Sequence, residues 1–286
     1  MNIKTYLLCG TAALMVASCG GNAKKQVAEG SGATADTLAV RGDSVYTLAV
    51  QVGDVQAMWI RDNAADRLMP RTLFPDASDA LMDSLGLAGG VPSTVSTFYV
   101  KTAGAGILFD TGLGATDSRL LSGLQTFGIA PADVKYVYLT HMHGDHIGGM
   151  LTQEGEAVFP AAEVYVSKPE YDYWMADKAN RQQVATMEAY KDRLHLFQFG
   201  DTLPGGVVAM DAVGHTPGHT VFQAGGLLVV GDLMHGAALQ KVHPEVCATF
   251  DMDKEAAIGA RRRFIRYAEE NGLTMAGMHL PVPAFD

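Results

Sequence analysis

The sequence predicts an α/β protein built as two stacked sheets with helices outside them. Short apolar runs alternate with helical stretches along most of the chain. Two segments also echo one another. AGAGILFDTGLG (103–114) and AGGLLVVGDLMHG (224–236) each read as a Gly-flanked turn, an apolar strand and an Asp at the strand's C-terminal end. Histidines and aspartates then gather at strand ends, the edge where α/β sheets collect their functional loops.

Length and composition set the frame. The 286 residues suffice for one large domain or two small ones, and 48% hydrophobic against 18% charged residues allows a substantial core. The net charge of -10, with no basic block to offset it, argues against a nucleic-acid partner and says little else. The expected partner, a small-molecule substrate, follows from the site residues instead. The oligomeric state stays open, a dimer included.

Residues 1–18 read as a processing signal. MNIK carries a lysine, TYLLCGTAALMVAS is apolar and small, and Cys19 follows; the apolar part is short for a permanent span. Val16-Ala17-Ser18-Cys19 resembles a bacterial lipobox, in which the Cys is lipidated and becomes the new N-terminus. An ordinary secretory signal cut near Ala17 or Ser18 is the other reading. The expectation is therefore an exported, lipoprotein-type chain, attached to a membrane face only through lipid on Cys19. Residues 19–43, rich in Gly, Ala and small polar side chains, read as a flexible tether, and 44–286 as the folded domain. With Cys9 and Cys19 assigned to the signal and the lipid, Cys247 has no disulfide partner and reads as a small buried hydrophobe.

Within the domain, VYTLAVQVGDVQAMWI is two apolar runs around Gly53-Asp54, a hairpin. PDASDALMDSLGL predicts a short helix opened by a capping Asp. STVSTFYVK and GILFDTG are strands, and DSRLLSGLQTFGI is a helix between Asp117 and Gly128. KYVYLT is a buried strand running into a loop, HMHGDH (141–146). AEVYVSK is a strand and 168–191 is mostly helical. VVAMDAVGH and TVFQAGGLLVVGDLMHG give further strands. DKEAAIGARRRFIRYAEENG is a long amphipathic helix capped by Asp251 or Asp253 and closed by Gly272, and LTMAGMHL is a last strand.

HMHGDH raises the functional question, because clustered imidazoles bring polar nitrogens that need partners. His141 and His143 are two apart and point the same way on extended chain, while Asp145 and His146 follow the turn at Gly144. That arrangement suits two adjacent metals. His215, Asp232 and His279 each lie just past a strand and supply more donors. Imidazole and carboxylate together suit Zn²⁺, with Mn²⁺ or Fe as the other ions such a set accepts.

HMHGDH, GHTPGHT, GDLMH and GMHLP together resemble the metallo-β-lactamase-fold hydrolases, most nearly the methyl parathion hydrolase group, from Ser44 onward. The resemblance implies an αββα four-layer sandwich with a dinuclear site. His141, His143 and His215 would hold one ion, Asp145, His146 and His279 the other, and Asp232 would bridge them. It further makes His219 an outer partner of a ligand or loop, and Asp110 either a brace for the histidine loop or a plain turn residue.

Two divalent ions about 3.5–4 Å apart share one water and lower its pKa, so the bridging hydroxide becomes the nucleophile on an ester, lactone or phosphotriester. Asp145 or Asp232 would shuttle the proton to the leaving group. His235 has two readings, a pocket residue donating to the substrate oxygen or a loop histidine at the cleft rim. Met58-Trp59-Ile60 and Leu73-Phe74 read as core or hairpin packing, or as the hydrophobic pocket wall that the resemblance places in this region. Tyr171, Tyr173 and Trp174 read as helix packing or as a cover over the cleft, and His195 and His243 as surface. A redox enzyme on the same fold and a non-catalytic metal-binding lipoprotein are the rival readings. The sequence stops at LPVPAFD, where the resembled family usually continues; a shortened end and a truncated sequence are the two readings, and both put the rigidity of the His279 loop and the occupancy of the second ion in question.

Overall fold

Side-chain alternation along short strands organises the molecule. The computed structural model describes residues 46–286; the expected signal segment 1–18 and tether 19–43 lie outside the described residues. In chain order the strands are β1 (Thr47–Val52), β2 (Val55–Arg61), β3 (Arg67–Met69), β4 (Val91–Ser93), β5 (Ser96–Lys101), β6 (Gly106–Phe109), β7 (Tyr136–Tyr138), β8 (Glu163–Ser167), β9 (Leu194–Phe197), β10 (Thr202–Leu203), β11 (Val207–Asp211), β12 (Thr220–Ala224), β13 (Leu227–Gly231) and β14 (Thr274–Gly277). The helices are α1 (Asp79–Ser84), α2 (Leu120–Thr126), α3 (Gly144–Ile147), α4 (Lys168–Met175), α5 (Arg181–Ala189), α6 (Ala237–Gln240) and α7 (Lys254–Asn271). None of them is long and apolar enough to cross a membrane.

Seven strands form one sheet in the order β1-β2-β5-β6-β7-β8-β9 and five form a second, β10-β11-β12-β13-β14. Each begins antiparallel and turns parallel, at β6-β7 in the first and at β13-β14 in the second. The expected hairpin is β1-β2, in register through Val52 opposite Val55, with Gly53 at φ 57° making the turn.

Strand β2 shows how the layers arise. Ala57 and Trp59 join the core between the sheets, with Phe98, Phe109, Tyr138, Phe222 and Val229. Met58 and Ile60 point the other way and pack with Leu120 and Leu124 of α2. On the second sheet, Ala260, Phe264 and Ala268 of α7 join the main core. The result is helix, sheet, sheet, helix. A third cluster, with Met69, Phe74, Met82, Val91 and Leu239, packs the β3-β4 ribbon against α1 and α6.

Several local expectations need correction. Helix α1 is capped by Ser78, whose Oγ accepts from Leu81 N at 3.2 Å; no Asp caps it, and Asp79 instead sits in the first turn, where the helix dipole favours a negative charge. Of the two candidate caps for α7, Asp253 accepts from Ala256 N, and Gly272 closes the helix in the left-handed region. The second half of HMHGDH is the single helical turn α3, because the His143 carbonyl accepts from His146 and Ile147 N. The His279 loop is tied down rather than loose. Phe285 bridges Ala276, Asp286 exchanges both backbone hydrogen bonds with Met275, and Thr94 Oγ1 donates to the carbonyls of Met278 and Leu280.

Candidate metal centre

Four loops at one edge of the sandwich bring the predicted donors together: those after β7, between β11 and β12, after β13 and after β14. His141 Nε2, His143 Nδ1 and His215 Nε2 lie 3.0–3.2 Å from one another. Asp232 Oδ2 is 3.3 Å from His215 Nε2 and 3.7 Å from His141 Nε2. Beside them, His146 Nε2 and His279 Nε2 lie 3.7 and 3.5 Å from the two oxygens of Asp145. Asp232 stands between the groups, with Oδ1 3.1 Å from His146 Nε2 and Oδ2 3.2 Å from His279 Nε2.

The rear nitrogens decide what these rings offer. His215 Nδ1 faces Asp251 Oδ1, His146 Nδ1 faces Asp110 Oδ2, and His279 Nδ1 faces the Thr94 carbonyl. His141 Nδ1 faces Thr140 Oγ1, which itself donates to Asp110. Each acceptor takes an N–H, so each neutral ring turns the lone pair of Nε2 inward. Two lone pairs then face each other at 3.2 Å between His141 and His215, and His279 Nε2 meets a carboxylate oxygen at the same distance. His146 Nε2 and Asp232 Oδ1 are buried without a hydrogen-bond partner. Converging acceptors of this kind are reconciled by a cation, and the donor set fits a divalent metal.

The electrostatics state the same demand. Burial pushes Asp232 up, yet His146, His279 and His141 outweigh it and hold the carboxyl well below its usual range. Burial also disfavours charge on His215, but hydrogen bonds to Asp232 and Asp251 raise it to about 9. His146 and His279 are raised against their own burial, chiefly by the Asp232 charge. His143, farther from the carboxylates, is pushed down to about 3 by burial and by His215. The acids thus call for positive charge at the ring nitrogens, which protons or metal supply.

The profile of the metallo-beta-lactamase superfamily matches residues 90–279, which contain all seven of these donors. The chain belongs to this superfamily, and its fold is the metallo-β-lactamase fold. It is similar to metallo-beta-lactamase domain-containing protein 1 of Xenopus laevis, 38% identical over 116 residues, which are 40% of either chain. The rat protein of that name is 34% identical over 45% of this chain, so the match spans only about two fifths of these relatives' length. Among solved structures, AidC, a dizinc quorum-quenching lactonase in complex with a homoserine product, superposes with a TM-score of 0.77 at 25% identity, covering 85% of this chain and 94% of its own. The hydrolase AbOPH superposes with a TM-score of 0.76 at 27% identity, covering 85% and 93%.

Within this metallo-β-lactamase fold, a cleft of about 310 Å³ opens onto the donors, lined by Arg67, Met69, His143, Gly144, Asp145, His215, Asp232, His235, Phe250 and His279. His235 is buried in its wall rather than on an exposed rim, with Nε2 3.1 Å from Asp232 Oδ2. His219 donates from Nδ1 to the Ala212 carbonyl and accepts the Asp232 N–H on Nε2. Gly231, at φ 52°, comes so close to His219 that a Cβ would lie 2.5 Å from its Nε2. Asp110 does brace the histidine loop, accepting from Thr140 N and Oγ1 and from His146.

The remaining residues follow the packing and surface readings. Met58, Trp59, Ile60 and Phe74 are core, Leu73 packs against the third cluster, and none lines the cleft; one face of β2 packs between the sheets and the other against α2. Trp174 does not cover the cleft but donates to Glu170 and stands edge-on to His143. Cys247 is buried and free, and His195 and His243 sit on the surface beside Glu163 and Glu245.

Three residues have a place at the site that was not assigned to them from the sequence. Glu170 is fully buried and accepts from Met142 N and Trp174 Nε1 on one oxygen and from Thr216 Oγ1 and Gly218 N on the other, at 2.6–2.9 Å. It ties the loop of His141 and His143 to the loop of His215. Asp251 pairs with Arg261 at 3.1 Å while orienting His215. Arg67 stands in the cleft wall. Glu170 lies in the first turn of α4, where its sequence gives no signal beyond that of a helix-opening acid.

Proposed function

We propose that the protein is a dinuclear metal hydrolase, with zinc as the resident pair, that cleaves an ester, lactone or phosphotriester bond in a small molecule. The observation that carries this is the convergence of two donor groups on the two oxygens of Asp232. The names of the two similar solved structures, a dizinc lactonase and a hydrolase, support the reaction class. The motif likeness to methyl parathion hydrolases points to the same bond types.

His141, His143 and His215 would hold one ion and Asp145, His146 and His279 the other, with Asp232 common to both. When bound, the ions supply Lewis acidity toward the scissile carbonyl or phosphoryl oxygen and lower the pKa of bound water. The protein fixes their positions through the rear-nitrogen hydrogen bonds, so little reorganisation remains for the reaction itself. Asp145, 26% exposed against 3% for Asp232, is the more open of the two carboxylates lining the cleft, and it carries the proton to the leaving group. Burial lowers His235 from the usual imidazole range, and its Nε2, 3.1 Å from Asp232 Oδ2, holds the ring in the cleft wall beside the reacting oxygen. Met69 and Phe250 exclude water from one side of the cleft.

The test is a panel of 4-nitrophenyl esters, homoserine lactones and a phosphotriester on Zn- and Mn-loaded protein, with Asp145→Ala and Asp232→Ala beside it. Turnover by the wild type, with metal content and turnover both reduced in the variants, is the expected result. A wild type that turns over nothing, with variants holding as much metal as it does, overturns the reading. The same proposal places the enzyme outside the cytoplasm, held at a membrane by lipid on Cys19. Detergent-phase partitioning that persists in Cys19→Ser would refute that anchor.

A further inference from the structure

The cleft wall carries one charge that the metal centre does not use. Arg67 opens β3 and is exposed, and it lines the cleft together with Met69, two residues on and on the same face of the strand. Leu68 between them is 57% exposed on the opposite face. The flanking arginines are engaged elsewhere: Arg61 with Asp66 at 2.9 Å, and Arg71 with Asp79 and Asp83 at 2.6 and 3.2 Å. Arg67 has no ion-pair or hydrogen-bond partner among the described residues, although Asp66 is its neighbour in sequence.

Its surroundings explain what such a group is good for. A guanidinium presents a rigid fork of N–H donors, always charged, that matches the oxygens of a carboxylate or phosphate. Met69 and Phe250 line the same cleft with apolar surface, so a ligand held there meets both a cation and hydrocarbon. Phe250 is itself 40% exposed, an aromatic face open to a ligand's hydrocarbon. A volume near 310 Å³ admits only a compact molecule. The net charge of -10 repels anions at long range, so an anionic ligand needs a local cation to be held here.

We propose that Arg67 is the recognition site for an oxyanion on the substrate, and that the substrate class is compact esters or lactones carrying a carboxylate or phosphate away from the scissile bond. This rests on the hydrolase reading above and adds the chemistry of the substrate's far end. One end of the molecule meets the metal centre, its hydrocarbon lies on Met69 and Phe250, and its anionic end pairs with Arg67.

The experiment compares 4-carboxyphenyl, 4-phosphonophenyl and 4-carbamoylphenyl butyrate on metal-loaded protein. The first two differ in the kind of anion, and the third is a neutral match in size. The wild type is expected to prefer the anionic esters in kcat/KM, with Arg67→Gln reducing that preference about tenfold, the loss of one charged hydrogen bond. Arg71→Gln, engaged outside the cleft, should keep the preference. The dissociation constants of 4-hydroxybenzoate and 4-hydroxybenzamide, read by calorimetry, should show the same pattern without turnover. If none of the esters is cleaved but 4-hydroxybenzoate binding still depends on Arg67, the hydrolase reading fails and the anion site stands. If the wild type and Arg67→Gln show the same carboxylate, phosphonate and amide preferences in both measurements, the anion site is refuted.

Discussion

At the scale of single residues, the site is decided by nitrogens that face away from it. Asp251 shows why. It takes the Nδ1–H of His215 on one oxygen and the Arg261 guanidinium on the other, all of it buried. Asp251→Asn keeps the shape but weakens the hold on His215, and metal affinity measured by chelator competition should fall about 10–100-fold. Asp251→Ala leaves Arg261 buried without its partner and should cost about 3–5 kcal/mol in denaturant unfolding. Gly231→Ala is severe for a different reason. The backbone there is left-handed and the added Cβ would strike His219, whose Nε2 holds the Asp232 backbone, so both metal content and Tm should fall.

At the scale of elements, the decisive object is the junction between the β7–α3 loop and the β11–β12 loop, separated by more than seventy residues of chain. Glu170, at the start of α4, joins them through four donors. Glu170→Gln replaces an acceptor oxygen with a donor NH₂ against two of those donors. A loss of about 2 kcal/mol in unfolding free energy is expected from the unsatisfied groups. The readout that separates positioning from bulk stability is metal affinity at a temperature where the variant is fully folded; an unchanged affinity there would mean that Glu170 only stabilises. Helix α7 gives a simpler case. Asp253→Ala removes its cap and should cost about 1 kcal/mol by thermal melting with metal content unchanged.

At the scale of the whole molecule, the donors come from both sheets, so metal binding and sheet packing are one equilibrium. His141, His143 and His146 follow β7 of the first sheet, while His215, Asp232 and His279 belong to loops of the second. A ligand bound only by the assembled sandwich stabilises it by mass action, so chelation should lower Tm and re-addition of zinc should restore it. At ion concentrations about a hundredfold above the dissociation constant the gain is about 2.7 kcal/mol. Phe222, packed on Phe109, Tyr138 and Phe197 between the sheets, tests the other half of that coupling. Phe222→Ala should cost about 3–5 kcal/mol in the metal-loaded and metal-depleted protein alike.

Local periodicity and donor chemistry were legible in the chain by itself. The apolar runs located the β1–β2 hairpin, β7, β13 and α7, and HMHGDH with His215, Asp232 and His279 named the donors that the fold gathers, because spacing along a strand or turn is a local property. The tertiary structure alone decided the rest. It placed Trp59 in the core instead of a pocket wall, seated His235 in the cleft, and chose Asp253 over Asp251 as a cap, freeing Asp251 to hold His215. It also put Thr94 behind His279, Glu170 between two loops and Arg67 in the cleft. Each of these depends on segments far apart in sequence meeting in space, and a one-dimensional pattern carries the period of an element but not the identity of the surface it will face.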